Sequence, residues 1–293
     1  MSTLAESPSI PTAKELAPIP RESRRRWTYF VLPIYSSFFF LYLVIPISVM
    51  ILYSFNVSRS ALPQVTFKWQ GFTTQWYHEW NGIPGLTPAF FLSLKLALIA
   101  TVISAILGTL LALSLVRYRF RGKGATNQVL FANIAAPEIV LGASLLGFFI
   151  TLNLSRGFST LLIAHVMFCV AYVTITVRAR LSGFDPMLEQ AAQDLGATPW
   201  VTFWKVTLPL IFPGILAGAL LAFALSIDDF VTSNFVSGKT LTFPLWVYGA
   251  VKVGIPPQVF VLGTAIFLGG LVLAIVNLIF QGRKRETVAA AEE

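Results

Sequence analysis

The chain has 293 residues, 56% hydrophobic and only 12% charged, with a mean hydropathy of +0.74 and a formal net charge of +8. That balance excludes an ordinary soluble domain, where about 25% of residues are charged, and the 25 Phe and long aliphatic runs exclude intrinsic disorder. A single cysteine, Cys169, excludes a disulfide scaffold, and with 2 His the ligands that zinc, copper or iron sites need are almost absent.

Residues 1–26 carry Pro8, Pro11, Pro18 and Pro20 among Ser, Thr and Glu, and read as a disordered tail. A helix needs about 20 apolar residues to cross the hydrocarbon core. Six runs qualify: Tyr29 to Phe55, Phe90 to Val116, Val129 to Leu152, Thr160 to Val177, Leu210 to Ile227 and Val259 to Phe280. They define a membrane domain over 27–282, followed by a short tail at 283–293. The first run follows Arg24, Arg25 and Arg26, but it far exceeds the roughly 7–15-residue core of a secretory signal and no small-residue cleavage site closes it. It reads as an uncleaved anchor.

In the next loop, Trp69, Trp76, Tyr77 and Trp80 form either an interfacial aromatic belt or a docking surface for a second protein. Gly108 and Gly142, in the second and third runs, allow close helix packing. Glu138 falls about ten residues into the third run, near mid-depth, directly after Pro137, which can kink the helix. An ionisable group at that depth either faces a partner or a water-filled path, or is a protonated, hydrogen-bonded packing residue. His165 and Cys169 stand one turn apart in the fourth run; two residues do not complete a metal site, and they read as core packing.

The loop 178–209 is the most informative stretch. Asp185 followed by Pro186 is a helix start, and Gly196 a stop that tolerates the left-handed conformation, giving a helix of about ten residues. Thr198 followed by Pro199 repeats the start signal, and Trp200, Phe203 and Trp204 share one face before Pro209. The first helix carries Glu189, Gln190, Gln193 and Asp194 with no Lys or Arg, a poor match to an anionic lipid surface. Beyond it, Asp228 and Asp229 end the fifth run, near its outer mouth. Because they are adjacent, at most one faces a given direction; the other caps a helix end or pairs with Lys95.

The basic residues are distributed as an orientation signal. Lys14, Arg21 and Arg24 to Arg26, then Arg117, Arg119, Arg121 and Lys123, then Arg178, Arg180 and Lys205, and finally Arg283, Lys284 and Arg285 all fall on one side. Arg59, Lys68, Arg156, Lys239 and Lys252 fall on the other. By the positive-inside rule the first side is cytoplasmic, with both termini. A nucleic-acid surface would need these charges on one folded face, so no nucleic-acid partner is expected.

At loop 178–209 the residues resemble the Glu-Ala-Ala motif of ATP-binding-cassette importer permeases, with Ala191, Ala192, Gly196, Leu208 and Pro209 in the motif positions. Pro137 to Val140, His165 to Cys169, Ser226 to Phe230 and Phe235 to Gly238 are similar to the spermidine/putrescine permeases, especially the second of their two permease subunits. One departure matters: anchored on Gly196, the motif's Glu falls on the neutral Gln190, and Glu189 lies one place, about 100° of helix rotation, earlier.

The resemblance implies an all-α integral membrane protein with six transmembrane helices and the type I importer fold, in the inner membrane of a bacterial cell. It implies that Glu189, Gln190, Ala191, Ala192, Asp194 and Gly196 form a coupling helix docking on a separate ATPase dimer. A second homologous permease, an extracytoplasmic substrate-binding protein and the surrounding lipids complete the expected partners. No cofactor is expected in this chain; ATP and magnesium belong to the ATPase, since Arg121 to Gly124 lacks the spacing and the Ser or Thr of a phosphate-binding loop. Glu138, Asp228 and Asp229, with almost no fixed cation at their depth, suit a cationic cargo, and the resemblance implies polyamines. Other small cationic or organic solutes, or an aspartate and magnesium membrane enzyme, remain as alternatives.

Overall fold

The computed structural model describes residues 26–57, 69–183 and 185–289, with side chains described for 31–57, 69–183 and 185–276. Among them all regular structure is helical, apart from one isolated bridge between Asn56 and Phe72. The expected tail up to residue 25 and the final residues 290–293 lie outside the described residues.

The chain divides into two units, one up to Val49 and one from Met50 onward. The described part of the first is the body of an apolar helix, α1 (Arg26–Tyr53), which carries Pro33 and Pro46 within it. In the second unit a short α2 (Gln75–His78) precedes α3 (Leu86–Arg117). In the third span the kink expected at Pro137 is a full break. The span is split into α4 (Lys123–Ala135) and α5 (Glu138–Thr151), bent by 112° at the break. The cause is local: the Pro137 ring disfavours helical backbone at the residue before it, and Ala136 accordingly takes an extended conformation, φ −69° and ψ 138°.

After α6 (Phe158–Ser182) come α7 (Met187–Asp194) and α8 (Pro199–Thr202), which passes through a π-turn, Phe203–Thr207, into α9 (Leu208–Ile227). Here too a proline meets a helix, and Pro209 does not end it. Proline at position 209 cannot donate to Lys205, and the π-turn re-spaces the ladder, with the Leu208 N–H bonded to the Phe203 carbonyl. The helix therefore runs on from Pro199 to Ile227. Short helices α10 (Val231–Val236) and α11 (Phe243–Val251) lead to α12 (Pro257–Ala289), whose backbone continues past the expected boundary at 282.

The second unit is organised by α3, α6 and α9. Between lipid-facing helices the hydrophobic effect offers little, so close backbone approach through small residues carries the packing. A Cβ on Gly108 would meet Val173 at 2.7 Å, and one on Gly218 would meet the Val173 backbone at 3.3 Å. Ala112, Cys169, Val173, Val177, Ile211 and Ala222 fill this seam. Gly142 does the same for α5 and α10, where an added Cβ would meet the Phe235 ring at 2.6 Å. Both glycines expected to permit close packing do so. Among the described residues five helices are long and apolar enough to cross a membrane, and six if α4 and α5 count as one broken span.

Candidate functional site

Two regions hold the residues that the sequence singled out, and they are built differently. The first is an open cavity of about 470 Å³ lined by α4, α5, α6 and the segment joining α9 to α10. Glu138, Asp228 and Asp229 all line it, beside Asn133, Phe168, Tyr172 and Phe230, and no Lys or Arg is among its lining residues. The volume lies within the roughly 300–1,000 Å³ typical of small-molecule sites. Two helix breaks bring the carboxylates there: the Pro137 break places Glu138 in the first turn of α5, and α9 ends at Ile227, leaving Asp228 and Asp229 in the connection to α10.

The adjacent aspartates have separate tasks. Asp229 accepts the N–H of Thr232 at 3.2 Å and of Ser233 at 2.8 Å, so it caps α10. Its side chain is buried and stands 3.5 Å from His165 Nε2. Asp228 and Glu138 are exposed toward the open space. Of the alternatives open in the sequence, the helix cap holds for Asp229, and Lys95 instead lies over the Phe158 ring, 5.3 Å from its centroid. Glu138 is not buried in the packing.

His165 is part of the same framework. Its Nδ1 is 2.7 Å from Ser226 Oγ and its Nε2 3.1 Å from Ser233 Oγ, so one buried ring ties the end of α9 to α10 and fixes the aspartate segment between them. Cys169 is buried with its Sγ 3.4 Å from the Ala222 carbonyl. Both are packing residues, as expected, but the sequence did not reveal the positioning role of His165. The usable signal was a lone histidine in an apolar span with two serines flanking an Asp-Asp pair. Among the described residues no group of three or more His, Cys, Asp or Glu side chains is arranged to hold a metal ion.

The second region is loop 178–209. Asp185 Oδ1 accepts the Met187 N–H at 2.9 Å, Gly196 takes φ +88°, and Thr198 Oγ1 accepts from Val201, so the predicted start, stop and restart signals act where expected. Trp200, Phe203 and Trp204 cluster with ring centroids 5.6–6.5 Å apart. Gln190, Ala191, Asp194 and Gly196 are exposed, Ala192 is half-buried, and Leu195 is 91% exposed. Glu189 points the other way. Its Oε1 accepts from Arg117 at the end of α3 and from the Thr207 hydroxyl in the π-turn. The outer aromatics also have partners: Trp76 Nε1 donates to the Asn56 carbonyl at 2.9 Å, Tyr77 OH and Ser54 Oγ are 2.7 Å apart, and Phe55 stacks on Phe72 and Tyr77.

Comparison with known proteins matches residues 19–286 to a family described as binding-protein-dependent transport system inner membrane component. The chain is 41% identical over 237 residues, 80% of its length and 88% of the relative's, to the spermidine/putrescine transport system permease protein PotC of Escherichia coli K12. It is 40% identical, over 78% of its length and 82% of the relative's, to the putrescine transport system permease protein PotI of the same strain. Among solved structures, a chain of a bacterial transporter that imports the acidic polysaccharide alginate aligns with a TM-score of 0.60 at 19% identity, covering 91% of this chain and 99% of that one.

Proposed function

This chain belongs to the family of binding-protein-dependent transport system inner membrane components, and from that premise we propose that it is the permease subunit of an ATP-driven importer of polyamines. It is a multi-pass protein of the bacterial inner membrane and a permease, not an enzyme. ATP and magnesium act on a separate ATPase dimer, a second permease completes the pathway, and an extracytoplasmic binding protein delivers the solute. Both termini and loop 178–209 face the cytoplasm, in accord with the distribution of Lys and Arg.

The observation that carries the substrate class is the cavity in which three carboxylates converge without a lysine or arginine. Unpaired carboxylates at membrane depth are costly, and a cation that pairs with them during passage offsets that cost. Asp228 and Glu138 are the two exposed acceptors. Asp229 acts through the cap it makes on α10 and adds its negative charge to the cavity. A solute with ammonium groups separated by a methylene chain meets both requirements of the wall, since Phe168, Tyr172 and Phe230 give the apolar stem and the cationic ends favourable surfaces. On the cytoplasmic side, Gln190, Ala191, Ala192, Asp194 and Gly196 present the surface that docks on the ATPase, with Glu189 behind them.

The experiment is uptake of radiolabelled putrescine and spermidine in a strain deleted for this chain and complemented with it, with the ATPase co-purified from the same membranes. Restored uptake, competed by other polyamines, is the expected result. Restored growth on an unrelated solute with no polyamine uptake would refute the substrate class.

A further inference from the structure

We propose that Arg117 and Thr207 are positioning residues that fix the rotation of α7 against two membrane spans at once, with the carboxylate of Glu189 as their shared acceptor. The proposal deepens the transport reading above and rests on it for the role of α7. Three elements meet at this point. Arg117 is the last residue of α3, Glu189 lies in the first turn of α7, and Thr207 closes the π-turn that continues into α9. The Arg117 guanidinium and the Thr207 hydroxyl both donate to Oε1 of Glu189, and the same guanidinium nitrogen lies 3.4 Å from Thr207 Oγ1.

An isolated surface ion pair contributes little. Here the donor hydroxyl belongs to a fully buried threonine, and the Glu189 side chain is only 18% exposed. One carboxylate oxygen therefore joins α7 to α3 and to α9, and α7 cannot turn about its axis without breaking both contacts. The one-residue offset from the family motif then has a purpose. A rotation of about 100° per residue puts Glu189 against the membrane helices and leaves Gln190, with Ala191 and Asp194, on the exposed side. A displacement of α7 by its docking partner is passed to α3 and α9 through a polar joint, while the apolar seam between those helices stays closed.

The test uses the complete complex of both permeases, ATPase dimer and loaded binding protein in proteoliposomes, with labelled spermidine as the probe. Arg117→Met and Glu189→Gln each lower the maximal uptake rate about five- to tenfold, at the low end of the coupling between linked sites, with KM for the loaded binding protein within about twofold. Thr207→Val gives a smaller loss, and Thr207→Ser and Arg117→Lys recover most of the rate. The charge swap Arg117→Glu with Glu189→Arg restores the rate to within about twofold of the original. Single variants at the original rate, a swap no better than its single members, or losses that follow the amount of ATPase bound would each overturn the proposal. ATP hydrolysis is followed in the same vesicles without solute. If the unaltered complex takes up no spermidine, the substrate reading fails, and the order of hydrolysis rates among singles, conservative variants and swap still decides whether the joint exists.

Discussion

The cavity and loop 178–209 are both places where helices are interrupted, and they use interruption for opposite ends. At the cavity the backbone breaks outright: α4 and α5 diverge by 112° at Pro137, and α9 stops at Ile227 before α10. The breaks release helix ends and bring Glu138, Asp228 and Asp229 to one space from two distant stretches of chain. At the loop, Pro209 threatens the same outcome, but the π-turn absorbs it and the helix remains continuous from Pro199 to Ile227. A site that must expose polar groups at membrane depth needs irregular backbone lining a cavity. A segment that must transmit a displacement needs an unbroken rod.

Breaking the rod has the largest expected effect. Lys205 is exposed, so Lys205→Pro changes little besides the backbone, yet it removes a donor within the π-turn at a cost of about 3 kcal/mol. Polyamine uptake falls by up to about a hundredfold, the limit in which the whole cost falls on the transport-competent state, while Lys205→Ala stays near the original rate. Uptake and a thermal melt of the purified complex, measured together, separate lost coupling from lost folding. Equal uptake in the two variants would show that continuity through the π-turn is dispensable.

The cavity offers the next effect. Glu138→Gln and Asp228→Asn keep shape and remove charge, and each raises the KM for solute about tenfold, since a hydrogen bond to a charged group contributes about 1.5–3 kcal/mol. Asp229→Asn costs about two- to threefold, because Thr232 and Ser233 donate to different oxygens of the carboxylate and the single amide oxygen keeps one of the two bonds to α10. Concentration dependence of uptake for the three variants checks this order. An Asp229→Asn loss larger than that of Asp228→Asn would reverse the roles assigned to the pair.

The sequence made legible whatever depends on near neighbours. Apolar runs of sufficient length gave the spans, and the caps at Asp185, Thr198 and Gly196 gave the loop its two helix starts and its stop. Adjacency alone showed that Asp228 and Asp229 must part company. What stayed hidden depends on distant partners or on a choice between two local solutions. Pro137 and Pro209 carry the same chemistry, but one opens the chain and the other is absorbed by a π-turn. Arg117 is 72 residues from Glu189, and His165 is 61 and 68 residues from its two serines. In the sequence Arg117 was one cation of an orientation signal, and nothing near it pointed to a carboxylate.

The finest test of the contrast needs two glycines of equal strain in different places. Gly196, after α7, has φ +88°, and Gly122, before α4, has φ +97°; a Cβ at either would meet no atom within 4 Å. Alanine at each position therefore costs the same roughly 1 kcal/mol of left-handed backbone strain and nothing in packing. If loop 178–209 transmits motion, the turn that sets α7 against α8 must hold its angle, whereas the turn at Gly122 only connects α3 to α4. Gly196→Ala is expected to lower the maximal uptake rate about threefold, and Gly122→Ala to leave it within experimental error while shifting the melting temperature by a similar amount. Matched losses at the two positions would mean that uptake follows general stability and that the geometry of the coupling turn has no special standing.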